Sequence, residues 1–251
     1  MKTEKWQCLG HDLEHDWEAV PPWGVFIGFS KCKRCGKVAR AEDFPRGTQR
    51  ERPIIFSGPM VRAIREDRKS QTRRVLMPQP IDYDPDVDMF TMSTQVYAER
   101  GWMEKHCCPY GIPGDLLWVR ESWAVEATHD HTKPRDVVAK GIWYMADGEP
   151  LPKPFIGGVA GKWRPSIFMP RWASRITLEI ARVRIQQVRD ITPEDAAAEG
   201  VQLDLPNAPI AVYYGRIGKF HELWDSINAK RGYGWNVNPW VRVIEFNRRR
   251  P

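Results

Sequence analysis

Between Ile176 and Val188 apolar and polar side chains alternate (ITLEIARVRIQQV), the period-two pattern of a long β-strand with one half-exposed face. Three further segments read as strands: Pro53–Phe56, the stretch GDLLWVRESWAV from Gly114 to Val125, and WVRVIEFNR near the end of the chain. The 21 prolines break helical stretches and suit a loop-rich, β-rich body. Helical signals are few. Met60, Val61 and Ile64 recur at helical spacing after a turn at Ser57-Gly58-Pro59. Thr192 as N-cap, Pro193 at the first helical position, acids in the first turn and Gly200 as the stop mark a second helix. HELWDSINAKRG reads as a third, with Leu223, Trp224 and Ile227 on one side. The expected fold class is a β-rich mixed α+β body, a barrel with helices packed outside.

Composition divides the 251 residues into a segment over 1–45, a charged turn-rich linker over 46–53 and a larger domain over 54–251. Two stretches rich in Pro, Gly and Asp, about 77–113 and about 126–161, read as insertions into that domain. No run of eighteen apolar residues exists and the first residues lack a signal-peptide pattern, so a cytoplasmic protein with no membrane partner is expected. Lys and Arg number 38 against 32 acids, a net charge of +6 that suits a polyanionic partner. Twelve tryptophans supply either core or base-stacking surface.

Five cysteines in a cytosolic chain argue for metal or thiol chemistry before disulfides. Cys8-x-x-His11 and Cys32-x-x-Cys35 are two pairs with the spacing of a structural zinc site, and Gly36 follows the second pair as in a zinc knuckle. His15 is the alternative to His11 as fourth ligand; His11 repeats the spacing of the other pair. Four protein ligands leave no open position, so the expected Zn2+ is structural. In His106-Cys107-Cys108 two adjacent cysteines do not easily face one metal, and the cluster reads as structural.

The larger domain resembles the ASCH family, a branch of the PUA-like barrels, in the version found in phage and prophage proteins. The residues carrying the resemblance are Arg52–Met60 (RPIIFSGPM), Arg68–Arg74 (RKSQTRR), Gly114–Glu121 (GDLLWVRE), Lys162–Pro165 (KWRP), Met169–Trp172 (MPRW), Ile191–Gly200 (ITPEDAAAEG) and the last strand through Phe246. The resemblance implies a nucleic-acid or nucleoside ligand, RNA or a modified nucleoside, held in a cleft of the barrel. One branch of the family removes the acyl group from N4-acetylcytidine with a lysine, a threonine and a glutamate. Lys69 and Thr72 fall on its K-x-x-T arrangement, and Glu199 falls near the end of the helix where its glutamate lies.

The residues themselves suit such chemistry: a hydroxyl nucleophile needs a base, a lysine of lowered pKa can serve, and a carboxylate can orient the ammonium or protonate the leaving amine. Spacing does not choose the attacking group. Arg68, Lys69, Arg73 and Arg74 equally suit a phosphate-binding patch. Trp118, Arg120, Glu121 and Trp123 are candidates to line the cleft, a tryptophan stacking on a base and Glu121 accepting from an exocyclic amine. Alternation puts Trp118 and Arg120 on one face, Glu121 and Trp123 on the other, and one pair alone can face a ligand. The functions in competition are an amidohydrolase on N4-acylated cytosine, a non-catalytic reader of RNA or modified nucleic acid, and an ASCH-type ribonuclease.

Overall fold

The computed structural model describes residues 17–19, 29–32, 38–40, 49–86, 88–93, 96–99, 108–138, 141–148, 160–203 and 209–250. Its strands begin with β1 (Trp17–Ala19), β2 (Phe29–Cys32), β3 (Val38–Arg40), β4 (Glu51–Ile55) and β5 (Gln71–Val75). They continue with β6 (Asp82–Asp84), β7 (Met89–Ser93), β8 (Val96–Glu99), β9 (Leu116–Arg120) and β10 (Trp123–Ala124). The last are β11 (Trp143–Tyr144), β12 (Thr177–Gln187) and β13 (Trp240–Arg249). The α-helices among the described residues are α1 (Gly58–Arg65), α2 (Pro193–Ala198) and α3 (Pro209–Asn228).

The chain divides into two compact units. One comprises Met1–Thr48 with Met77–Cys108, the other Gln49–Leu76 with Pro109–Pro251. In the first, β1-β2-β3 and β6-β7-β8 each form a three-stranded antiparallel sheet. The expected zinc ligands Cys8, His11 and Cys35, with the alternative His15, lie outside the described residues. Cys32 is the last residue of β2, which pairs antiparallel with β3. Of His106-Cys107-Cys108 only Cys108 is described, and it is buried. Among the described residues no helix is long and apolar enough to cross a membrane.

The second unit is mixed α+β around a five-stranded sheet of order β4-β9-β12-β13-β5. The β4–β9 pair is parallel and the other pairs are antiparallel. Strand β4 starts at Glu51, so the last residues expected as linker belong to the sheet. The sheet is open where the resemblance implies a closed barrel: among the described residues no ladder joins β4 to β5. A side chain spans the gap instead, Arg74 Nη2 donating to the Ile55 carbonyl at 2.6 Å.

One face of the sheet packs on α2 and α3. Val188, Ile191, Ala196, Phe220, Trp224, Val241 and Val243 form a single buried cluster there. The row that α3 turns inward is Phe220, Trp224 and Asn228, four residues apart. Ile227, expected on that side, is 45% exposed. Strand β12 carries a bulge between Ile180 and Arg182, which resets its phase so that Leu178 and Ile180 before it, and Val183 and Ile185 after it, are all buried.

Candidate active site

Three residues remote in sequence or on different elements, Lys69, Arg73 and Glu199, meet where α2 ends. Helix α2 starts as its sequence dictates: the Thr192 hydroxyl accepts from the Asp195 amide at 3.2 Å, Pro193 follows, and Glu194 and Asp195 occupy the first turn. It stops at Gly200, whose φ of +91° lies in the left-handed region. A side chain there meets Ala63 Cβ at 3.0 Å and Lys69 Cβ at 3.3 Å, so glycine serves both the turn and the close approach of α1 and Lys69. Glu199 is thereby held as the C-cap, beside the segment that leads from α1 into β5.

That segment is pinned by main-chain bonds on both sides. The Lys69 amide donates to the Ala63 carbonyl at 3.0 Å and the Ser70 amide to the Ala198 carbonyl at 2.9 Å. The Phe246 amide of β13 donates to the Ser70 carbonyl at 2.8 Å. Lys69 and Glu199 form an isolated antiparallel bridge, outside the sheet's ladders.

The ammonium of Lys69 donates to Glu199 Oε2 at 2.7 Å and to the Glu199 carbonyl at 2.9 Å. Arg73 Nη1 donates to the other carboxylate oxygen at 3.0 Å, and its Nη2 to Asp195 Oδ2 at 2.6 Å. Lys69 is 2% exposed, Glu199 5% and Arg73 5%, so three formal charges are shut away from water. Burial pushes the Lys69 amine below its ordinary value of 10.5; Glu199 opposes that shift, and the Arg74 and Arg73 guanidinium charges add to it. A carboxylate at a helix C-terminus opposes the helix dipole, and here two cations compensate it.

Behind this pair stands a second layer. Arg184 on β12 donates to Asp195 Oδ1 at 2.7 Å and to Glu245 Oε1 at 3.0 Å, and Gln71 Nε2 donates to the Asp195 carbonyl at 2.8 Å. Burial alone raises the Asp195 carboxyl, but the hydrogen bond from Arg184 and the charge of Arg73 hold it below 3.8. Arg73 and Arg184 escaped the sequence reading as supports of the glutamate. Their only signal was being cations on strands, and their carboxylate partners are unpredictable from spacing.

Thr72 lies on β5 opposite Ile244, and alternation places it on the other sheet face from Gln71 and Arg73. It is 3% exposed, and its hydroxyl makes no hydrogen bond among the described residues. Arg74 shares its face. The Phe56 ring is common ground to that face and the lysine, with Arg74 Cζ 5.3 Å and Lys69 Nζ 5.8 Å from its centroid.

The four cations Arg68, Lys69, Arg73 and Arg74 thus do not form one solvent-facing patch. Lys69 and Arg73 are drawn inward by carboxylates, Arg74 by the Ile55 carbonyl, and Arg68 pairs with Glu66 at the surface. The cleft candidates also separate. Arg120 lies over the Trp118 ring at 4.6 Å, so those two share a face. Strand β9 stops at Arg120, and the alternation does not continue to Trp123. Glu121 is 1% exposed and takes a two-pronged bond from Arg175 at 2.9 and 3.0 Å; burial raises its carboxyl above 4.5 against the pull of Arg175. Trp123 is wholly buried in a cluster with Val125, Val137, Met169 and Ala173, edge-on to Trp172 and capped by Arg164, which leaves no ring face for a base.

Among the described residues no group of three or more His, Cys, Asp or Glu side chains is placed to hold a metal ion. Compared with known proteins, the chain matches no protein-family model, no curated protein and no solved structure.

Proposed function

We propose that the chain is an ASCH-type protein of PUA-like fold, and that Lys69, Thr72 and Glu199 form an amidohydrolase site for N4-acylated cytosine in nucleoside or RNA. The supporting observation is the Lys69–Glu199 contact itself: an amine and a carboxylate from distant segments, both buried, with burial lowering the amine below its ordinary 10.5. The open sheet whose edges β4 and β5 flank α1, tied by Arg74 to Ile55, is compatible with a PUA-like barrel that lacks its last ladder. The spacing of Cys8-x-x-His11 and Cys32-x-x-Cys35 supports the reading of a structural zinc held by these four residues in the N-terminal segment.

In this reading the Lys69 amine, parted from Glu199, turns past Phe56 toward the sheet face that carries Thr72 and takes the proton of its hydroxyl, and the oxygen of Thr72 bonds to the acyl carbon. Glu199 steadies the ammonium so formed. That proton passes to the exocyclic nitrogen as its bond to the acyl carbon breaks, releasing cytosine with a free amine. Water then cleaves the acyl ester, restoring the Thr72 hydroxyl and releasing the carboxylic acid. The pair is closed on itself, so substrate entry requires the Lys69–Glu199 contact to part.

The test is release of acetate from N4-acetylcytidine by the purified chain. Activity that falls at least about 100-fold in Lys69→Ala and in Thr72→Val supports the proposal. The burial of both charges also favours a second reading, a non-catalytic RNA reader in which the pair is a structural staple. Lys69→Ala then lowers the melting temperature, while the parent releases no acetate.

A further inference from the structure

Far along the sequence from Lys69 and Thr72, residues 130–134 and 162–168 enclose a depression of about 410 Å³. Its lining includes Lys133, Lys162, Trp163 and Phe168. Both lysines and Phe168 are exposed, the phenylalanine at 60%, and Trp163 is half-buried. Among the described residues neither lysine ammonium has an ion-pair or hydrogen-bond partner, and neither aromatic ring has a ring or cation partner. Elsewhere in this unit Arg65, Arg171, Arg175, Arg184, Arg248 and Arg249 each sit on a carboxylate. At this depression two ammonium groups without such a partner share one lining with two aromatic rings.

The walls of the depression are locked. Arg164, 8% exposed, donates to the Thr132 carbonyl at 3.0 Å and also to the His129 carbonyl. In the other direction the Asp130 carboxylate accepts from the Lys162 amide at 3.1 and 3.3 Å. Gly161 permits this clamp, because a Cβ there falls 2.3 Å from Asp130 Oδ1 and 2.9 Å from the Val125 carbonyl. The carboxylate in the lining is thus oriented by main chain and keeps its charge, so Lys133, Lys162 and Arg164 against Asp130 leave the lining with a cationic excess. A pocket whose walls are fixed beforehand loses little entropy when it binds.

We propose that this depression is a nucleotide subsite, taking the base of a single-stranded nucleic acid against Trp163 and Phe168 and an adjoining phosphate at Lys133 and Lys162. Aromatic faces beside a cationic rim are the two elements such binding needs: every base has a π-face, and every linkage a negative charge. The assignment does not depend on the hydrolytic reading, since it uses none of Lys69, Thr72 or Glu199.

Fluorescence anisotropy of the full chain with labelled single-stranded RNA and DNA of one sequence, and with the duplex, tests it. Both single strands bind in preference to the duplex, and the tighter of the two names the source. Trp163→Ala weakens that strand about 10-fold or more, Trp163→Phe keeps most of the affinity, and each lysine changed to Ala makes the log–log salt slope shallower by about 0.7. Melting temperatures identify any variant that fails to fold, and the exposed Lys133→Glu still reads the site in that event. Acetate release from free N4-acetylcytidine is unchanged in Lys133→Glu, which separates this subsite from the reaction site. Unaltered strand affinity in Trp163→Ala and Lys133→Glu, or a parent that prefers duplex, overturns the proposal.

Discussion

Lys69 and Glu199 are joined twice, since the one ammonium donates to the carboxylate at 2.7 Å and to the main-chain carbonyl of the same residue at 2.9 Å. The carbonyl bond survives loss of the carboxylate charge. Glu199→Gln is therefore expected to keep the lysine in place while removing the counter-charge shared by Lys69 and Arg73. Unfolding titrations should show a loss of about 3 kcal/mol, as for other broken buried ion pairs. Acetate release should fall at least about 100-fold. A variant that is destabilised yet fully active separates the pair from catalysis.

The lowered pKa of Lys69 has a signed consequence. The working base is the neutral amine, so kcat/KM rises with pH, with its midpoint below the ordinary 10.5. Glu199 raises that pKa against the effect of burial, so Glu199→Gln should move the rising limb to still lower pH. For stability, the folded chain binds fewer protons than the unfolded one between the lowered value and 10.5. Stability contributed by this group therefore increases with pH across that window. A rate profile whose rising limb is the same in Lys69→Arg assigns the base elsewhere.

Arg73 is expected to act through Glu199 and not on substrate, because both its nitrogen contacts are carboxylates on α2. Arg73→Gln should lower kcat about 10-fold or more with KM nearly unchanged, and should cost about 3–5 kcal/mol of stability. Arg73→Lys restores one contact but not the fork, so partial rescue is expected. A KM effect with kcat intact places Arg73 against the ligand.

Gly200 carries a left-handed φ and lies against Ala63 and Lys69. Gly200→Ala should destabilise the chain by about 1–3 kcal/mol, read from denaturant midpoints. Because the added methyl pushes on Lys69, activity should fall beyond what the unfolded fraction explains. Wild-type stability in this variant contradicts the close packing.

Metal analysis of the purified chain is expected to find one zinc per molecule, lost in Cys32→Ser and in Cys8→Ser. A chelator should strip the metal without abolishing acetate release from the separate second unit, since a closed four-ligand site supplies no chemistry. Zinc content unchanged in both variants removes the proposed site.

What the sequence determined by itself was local. Helix α2 was legible from Thr192, Pro193 and Gly200, because capping bonds and left-handed turns act within four residues. The long strand was legible from alternation, since successive side chains of a strand point to opposite faces. The bulge after Ile180 was not, because an extra residue is chosen by what the partner strand β13 opposes. Tertiary structure alone decided the charges. Arg73 reads like Arg74 in the sequence, yet one turns to the carboxylates of α2 and the other to a carbonyl of β4, according to the face each occupies. Trp123 looked like a stacking platform and became core, while Trp163 kept its ring free of ring and cation partners among the described residues. Side chains of one type differ only in what the remote chain places beside them, and that information is absent from local spacing.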